Sequence, residues 1–160
     1  MSELPRQPYF AYALNMEQAQ MRARCASAIL IGVARLANYR FMINMHRLAT
    51  VIPDTKSEVY GLLWSLTHSD VQILDIYEQV DEGLYTKDAV DVELSRGPSA
   101  RALIYLATDS VPYTPQSIDA NEVADAAEHY GQDYISKVIA AAQQAQLPTL
   151  YIEVIETFQN

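Results

Sequence analysis

The chain has 160 residues, half of them hydrophobic, which suits one domain with a sizeable core and excludes a disordered chain. Its 11 basic residues stand against 20 acidic ones, a formal net charge of −9, and an acidic surface disfavours nucleic acid and anionic membranes as partners. The single cysteine, Cys25, excludes an intrachain disulfide and fits a reducing compartment; in the run RARCASAIL it reads as a small buried hydrophobe.

The first residues, MSELPRQPYF, have no apolar h-region, and no apolar stretch reaches the length of a membrane span, so a cytoplasmic protein is expected. Residues 8–13 (PYFAYA) predict a short buried strand. Asn15 is placed to cap a helix running to about Arg24, with Gln18 at the capping-box spacing. Residues 26–36 (ASAILIGVARL) are strand-like, and 39–45 and 48–52 read as two shorter strands. PDTK at 53–56 has the chemistry of a turn. Residues 58–66 (EVYGLLWSL) predict a strand with an interior glycine, Gly61, where a close backbone approach and a plain bulge are equally consistent.

A short helix is expected from Ser69, as N-cap, to about Tyr77. Residues 84–94 alternate at Val90, Val92 and Leu94, the period of a half-buried strand. SRGPS at 95–99 reads as a hairpin connection to a strand at 101–108. After the loop 109–117, two helices are expected, about 119–130 and 132–146. The tail 149–156 (TLYIEVIE) alternates again, and with Leu150, Ile152, Val154 and Phe158 it reads as an extra strand for a sheet edge. Scattered Pro and Gly without a linker favour a single domain over 1–160. The fold class is therefore α+β: a small mixed sheet or barrel with helices packed outside it.

Strong chemical signals are few. No glycine-rich phosphate loop or nucleophile-elbow serine occurs. His46, His68 and His129 lack metal-ligand spacing, so no metal is implied. Trp64 reads as core, and Arg40, His46 and Arg47 as solvated strand ends. What remains is a carboxylate cluster, LDIYEQVDEGLY at 74–85, with Asp75, Glu78, Asp81 and Glu82 between apolar residues and two tyrosines. By composition alone it reads as a helix end and a polar turn.

The order of several short motifs resembles the γ-glutamylcyclotransferase-like (AIG2-like) family over about residues 9–140. Tyr9-Phe10-Ala11-Tyr12-Ala13-Leu14-Asn15 is similar to that family's Y-F-A-Y-G-S-N. Val33-Ala34-Arg35-Leu36 and Val59-Tyr60-Gly61-Leu62-Leu63-Trp64 match its V-A-R-L and V-x-G-x-x-W segments. Leu74-Asp75-Ile76-Tyr77-Glu78 and Gly83-Leu84-Tyr85 match L-D-x-x-E and G-x-Y. Tyr105, the proline loop at 112–115 and Asp133-Tyr134 follow in family order, and the tail 147–160 lies outside.

The resemblance implies a γ-glutamyl cyclotransferase that releases 5-oxoproline and a free amine from a small γ-glutamyl amide or peptide, without cofactor. It carries the role of catalytic acid/base to Glu78. It assigns substrate binding to Tyr12, Ala13, Leu14 and Asn15, whose backbone N–H groups also suit an oxyanion, with Tyr85 and Tyr105 near the pocket. The family's Gly-Ser pair is Ala13-Leu14 here, and Ser117 stands where many relatives have a tyrosine. These departures fit a specialised biosynthetic substrate, or a catalytically inactive ligand-binding or interaction domain of the same fold. Either a monomer or a homodimer is compatible with the sequence.

Overall fold

The computed structural model describes residues 5–113 and 134–159. Its strands are β1 (Gln7–Ala11), β2 (Ile29–Ile43), β3 (Ala49–Leu66), β4 (Tyr85–Leu94) and β5 (Ser99–Ala107). Its helices are α1 (Gln18–Arg24), α2 (His68–Tyr77), α3 (Tyr134–Gln144) and α4 (Thr149–Glu156), with a 3₁₀ turn at Leu14–Met16. The strands close into a barrel in the order β1-β3-β2-β4-β5. β1 runs antiparallel to β3, from Gln7 opposite Leu66 to Ala11 opposite Leu62, and touches β5 in parallel at Tyr9 and Leu103. The expected mixed barrel with flanking helices is the architecture found.

The core explains the strand composition. Phe10, Leu36, Phe41, Leu62, Leu63, Trp64 and Tyr105 are almost wholly buried, and strands rich in branched and aromatic residues suit such a surface. The β2–β4 seam is short, with Ala34 opposite Leu94 and Arg35 opposite Glu93. Arg35 spans it, pairing with Glu58 at 2.6 Å and Glu93 at 2.8 Å. These side chains are exposed enough that solvent screening leaves each pair little weight in stability.

Five expectations are corrected. The segments 26–36, 39–45, 48–52 and 58–66 are not separate short strands but parts of two long ones. They are joined at Asn44–Leu48, where Asn44 Oδ1 accepts the N–H groups of His46 and Leu48 and Arg47 takes the left-handed conformation (φ 63°). PDTK does not reverse the chain. The register passes from Ala37 opposite Glu58 to Tyr39 opposite Pro53, so residues 54–57 bulge out of β3 against Asn38 alone. Their turn chemistry is still expressed there: Asp54 accepts Lys56 N–H and the Ser57 hydroxyl.

The cap of α1 is Glu17, which accepts Gln20 N–H, while Asn15 is buried in the 3₁₀ turn before it. The cap of α2 is Thr67, in a reciprocal capping box with Asp70, two residues before Ser69. The tail is a helix, not a strand. Tyr151, Ile152 and Ile155 are buried at helical spacing, whereas Leu150 and Val154 of the apparent alternation are 77% and 45% exposed. Tyr151 meets Tyr60, and Phe158 meets Phe41, each pair with ring centres 5.5 Å apart. The helix expected at 119–130, the residue Ser117 and the start of the helix expected at 132–146 lie outside the described residues.

Candidate active site

The turn after β1 is set by backbone proximity. A Cβ on Gly61 would lie 2.2 Å from the Ala11 carbonyl oxygen, so only glycine lets β3 come this close to the end of β1. The chain then leaves the barrel through Tyr12 and Ala13 into the 3₁₀ turn. Ala13 has φ −134°, outside the left-handed region, so alanine replaces the family's glycine there without positive-φ strain. The turn's first internal bond runs from Met16 N to Ala13 O, which leaves the N–H groups of Leu14 and Asn15 without a partner inside the turn.

Glu78 is placed by how α2 ends. Gln79 is left-handed (φ 53°); its N–H donates to Ile76 O and that of Val80 to Asp75 O. This is a Schellman motif with Glu78 as the C-cap, so its backbone direction is fixed by hydrogen bonds on both sides. Its side chain turns to the end of β1.

The two pieces meet in a cavity of about 280 Å³. Tyr12, Ala13, Leu14 and Asn15 line it on one side, and Tyr77, Glu78 and Gln79 on another. Tyr85 and Tyr105 come from β4 and β5, Tyr9 from β1 and Tyr134 from α3. All seven residues singled out in the sequence therefore border one space, and Leu14 lines it without filling it. Asp75, the other carboxylate of L-D-x-x-E, faces away: it accepts the Tyr105 hydroxyl at 2.7 Å and pairs with Lys87 at 3.0 Å.

Burial in this aromatic pocket pushes the Glu78 carboxyl up to about 7. The nearby Arg24 cation and an N–H from Asn15 oppose the shift. Position at a helix C-terminus, where free carbonyls converge, acts with burial against the anion. Burial and the Glu78 charge hold the phenols of Tyr9 and Tyr12 well above their ordinary value. The tyrosine hydroxyls are also occupied: Tyr12 donates to the Tyr105 carbonyl at 2.6 Å and Tyr85 to the Ala49 carbonyl at 2.7 Å. These rings wall and stiffen the site, and the buried phenols of Tyr9 and Tyr12 are not poised to ionise.

Sequence reasoning missed Tyr9, Gln79, Tyr134 and Arg24 as parts of this site. Tyr9 belongs to the same Y-F-A-Y segment, and Gln79 follows Glu78 directly. Tyr134 and Arg24 depend on how α3 and α1 pack, which no local pattern reveals. Elsewhere, Arg40 pairs with Asp54, His46 with Asp109, and Arg47 stacks on Tyr113, all away from the cavity. Cys25 is buried, its thiol pushed up to about 11 chiefly by desolvation, a packing residue and not a nucleophile. Among the described residues no three His, Cys, Asp or Glu side chains cluster to hold a metal ion.

Residues 58–155, more than half of the chain, match the AIG2-like family. The chain belongs to that family. The chain is also similar to mammalian γ-glutamylcyclotransferases: the mouse protein is 30% identical over 120 residues and the bovine protein 29% over the same length. Those matches span 68% of this chain and 64% of each relative. A solved γ-glutamyl cyclotransferase superposes with a TM-score of 0.75 over 95% of this chain and 87% of its own, at 24% identity, a likeness of fold. An uncharacterised human protein gives 0.74 over 94% and 86%, at 26% identity. Among the described residues, no helix is long and apolar enough to cross a membrane.

Proposed function

We propose that this protein is a γ-glutamyl cyclotransferase that releases 5-oxoproline and a free amine from a small γ-glutamyl amide. The observation that carries the reading is the Glu78 carboxyl, set at about 7, in a cavity bordered by the 12–15 turn. The names of the mammalian relatives support it.

In this reading the substrate supplies its own nucleophile. Its α-amine attacks its γ-carbonyl, and holding that attack in register lowers the barrier by roughly 7–11 kcal/mol. Glu78 as carboxylate first takes a proton from the α-ammonium. The amine nitrogen bonds to the γ-carbon, and the carbonyl oxygen becomes an oxyanion facing the N–H groups of Leu14 and Asn15. The carbon–nitrogen bond to the leaving amine then breaks as Glu78 returns the proton. The ring nitrogen gives up two protons in all and the leaving amine gains two, so Glu78 ends as it began. A group titrating near neutrality serves both directions, with a benefit of about 10²–10⁴-fold.

The finer proposal is a specialised biosynthetic amine as leaving group. Leu14, where relatives have serine, gives the cavity an apolar edge in place of a hydroxyl. The rival, a non-catalytic binding domain, requires that edge to fill the cavity or Glu78 to face solvent; the open space beside Glu78 supports the catalytic reading. Residues 1–160 act in this proposal as one domain on a small molecule.

The test is 5-oxoproline release from a panel of γ-glutamyl dipeptides and γ-glutamyl amines. Release by the wild type is expected to fall about 10²–10⁴-fold in Glu78→Gln. Release that persists unchanged in the variant removes Glu78 from the role.

A further inference from the structure

Arg24, the last residue of α1, stacks on Tyr77 with its guanidinium carbon 3.7 Å from the ring centre. Its Nη1 donates to Asn15 Oδ1 at 2.6 Å. It forms no ion pair among the described residues. Arginine only donates, so one orientation of the Asn15 amide satisfies it, with the carbonyl oxygen toward Arg24. The amide NH₂ is thereby turned the other way, to Tyr9 Oη at 2.9 Å and Glu78 Oε1 at 3.3 Å. The two ends of an amide have nearly the same shape, so shape alone does not hold this orientation.

A protonated carboxyl keeps one oxygen as acceptor and carries its proton on the other. A donor fixed at Oε1 makes Oε1 the acceptor in both protonation states. Oε2 takes no hydrogen bond from any described residue. We propose that Arg24 is a positioning residue: by locking the Asn15 amide it makes Oε2 the single Glu78 oxygen that exchanges a proton with substrate. The catalytic consequence rests on the acid/base reading of Glu78, but the titration of Glu78 does not.

Other groups around the carboxyl do not substitute for this lock. Tyr9 and Tyr12 of β1, with phenols held far above neutrality, stay uncharged. The same holds for Tyr105 of β5, and for Tyr77 on the helix that carries Glu78. Tyr85 of β4 and Tyr134 of α3 complete the wall. Asp75 is neutralised by Lys87 and faces the Tyr105 hydroxyl.

The test is the side-chain carboxyl titration of Glu78 by ¹³C NMR in the substrate-free protein, for wild type, R24M, R24K, N15A and R24M/N15A. In R24M the midpoint is expected to rise by about 0.5–1 unit, because the amide is free to turn its oxygen toward Glu78 and a cation is lost. R24K, which keeps a cationic donor, is expected to recover at least half of that rise. In the N15A background, removing Arg24 is expected to move the midpoint less than half as far, the coupling signature of a relay. With substrate, R24M is expected to lose roughly tenfold in kcat with KM within about twofold, and its lower pH limb is expected to move up with the NMR midpoint. An unchanged midpoint in R24M overturns the proposal. An equal shift with and without Asn15 also overturns it, since the charge would then act through space alone. The expected titrations without 5-oxoproline release by the wild type would support the relay and count against the cyclotransferase reading alone.

Discussion

Glu78 combines two demands that oppose each other. Its folded-state midpoint of about 7 lies above the ordinary carboxylate value of 4.5, so the folded protein binds this proton more tightly than the unfolded chain does. The stability that follows is present below about pH 4.5 and is lost as pH rises through 7. Removing the charge should reverse that loss. Glu78→Gln is expected to unfold at a higher temperature than wild type at pH 8, by the equivalent of ~1–3 kcal/mol, and at the same temperature at pH 4. Thermal melts at the two pH values check it. The same midpoint predicts that kcat/KM falls tenfold per unit below about pH 7, where Glu78 can no longer take a proton from the α-ammonium. At this scale the sequence was informative about identity and partly about environment, since the resemblance set Tyr85 and Tyr105 near the pocket. L-D-x-x-E singled out Glu78, but composition alone made it a solvated helix end. The enclosing tyrosines come from strands and a helix as far away in sequence as Tyr134.

The elements that hold the site depend on a few local features of differing legibility. Gly61 was legible as a choice between close approach and bulge, and the 2.2 Å distance to the Ala11 carbonyl decides for close approach. Gly61→Ala must push β3 from the end of β1; a cost of about 1–3 kcal/mol in urea unfolding, with weakened substrate binding at the displaced turn, is expected. The tail was misread because Leu150, Ile152 and Val154 alternate while Tyr151, Ile152 and Ile155 also satisfy a helical face. Eight residues cannot separate these periods, and contact with Tyr60 and Phe41 chooses between them. Truncation resolves the two patterns: Ile155→Ala is expected to cost about 2–4 kcal/mol and Leu150→Ala less than about 0.5 kcal/mol in chemical denaturation. An edge strand would make Leu150 the costly position. PDTK shows the converse case, a turn sequence expressed as a bulge because the ladder resumes on both sides of it.

For the whole molecule, barrel closure gathers the site. The cavity draws on β1, β4, β5, the 3₁₀ turn, the end of α2 and the start of α3, so it exists only when β1 bridges β3 and β5. Trp64, the sole tryptophan, is fully buried on β3 opposite Tyr9. Its fluorescence midpoint in denaturant is therefore expected to coincide with the far-ultraviolet dichroism midpoint. The α+β class and the strands β4 and β5 were legible in local periodicity. Strand order was not, because the pairing of β1 with β3 and of β2 with β4 is a long-range choice that alternation leaves open. The most direct test remains 5-oxoproline release from γ-glutamyl dipeptides and amines by wild type and Glu78→Gln, with Trp64 emission confirming that both are folded. Release by the wild type that falls at least about a hundredfold in the variant is predicted; equal release by both folded proteins, or none from any substrate, would contradict the account.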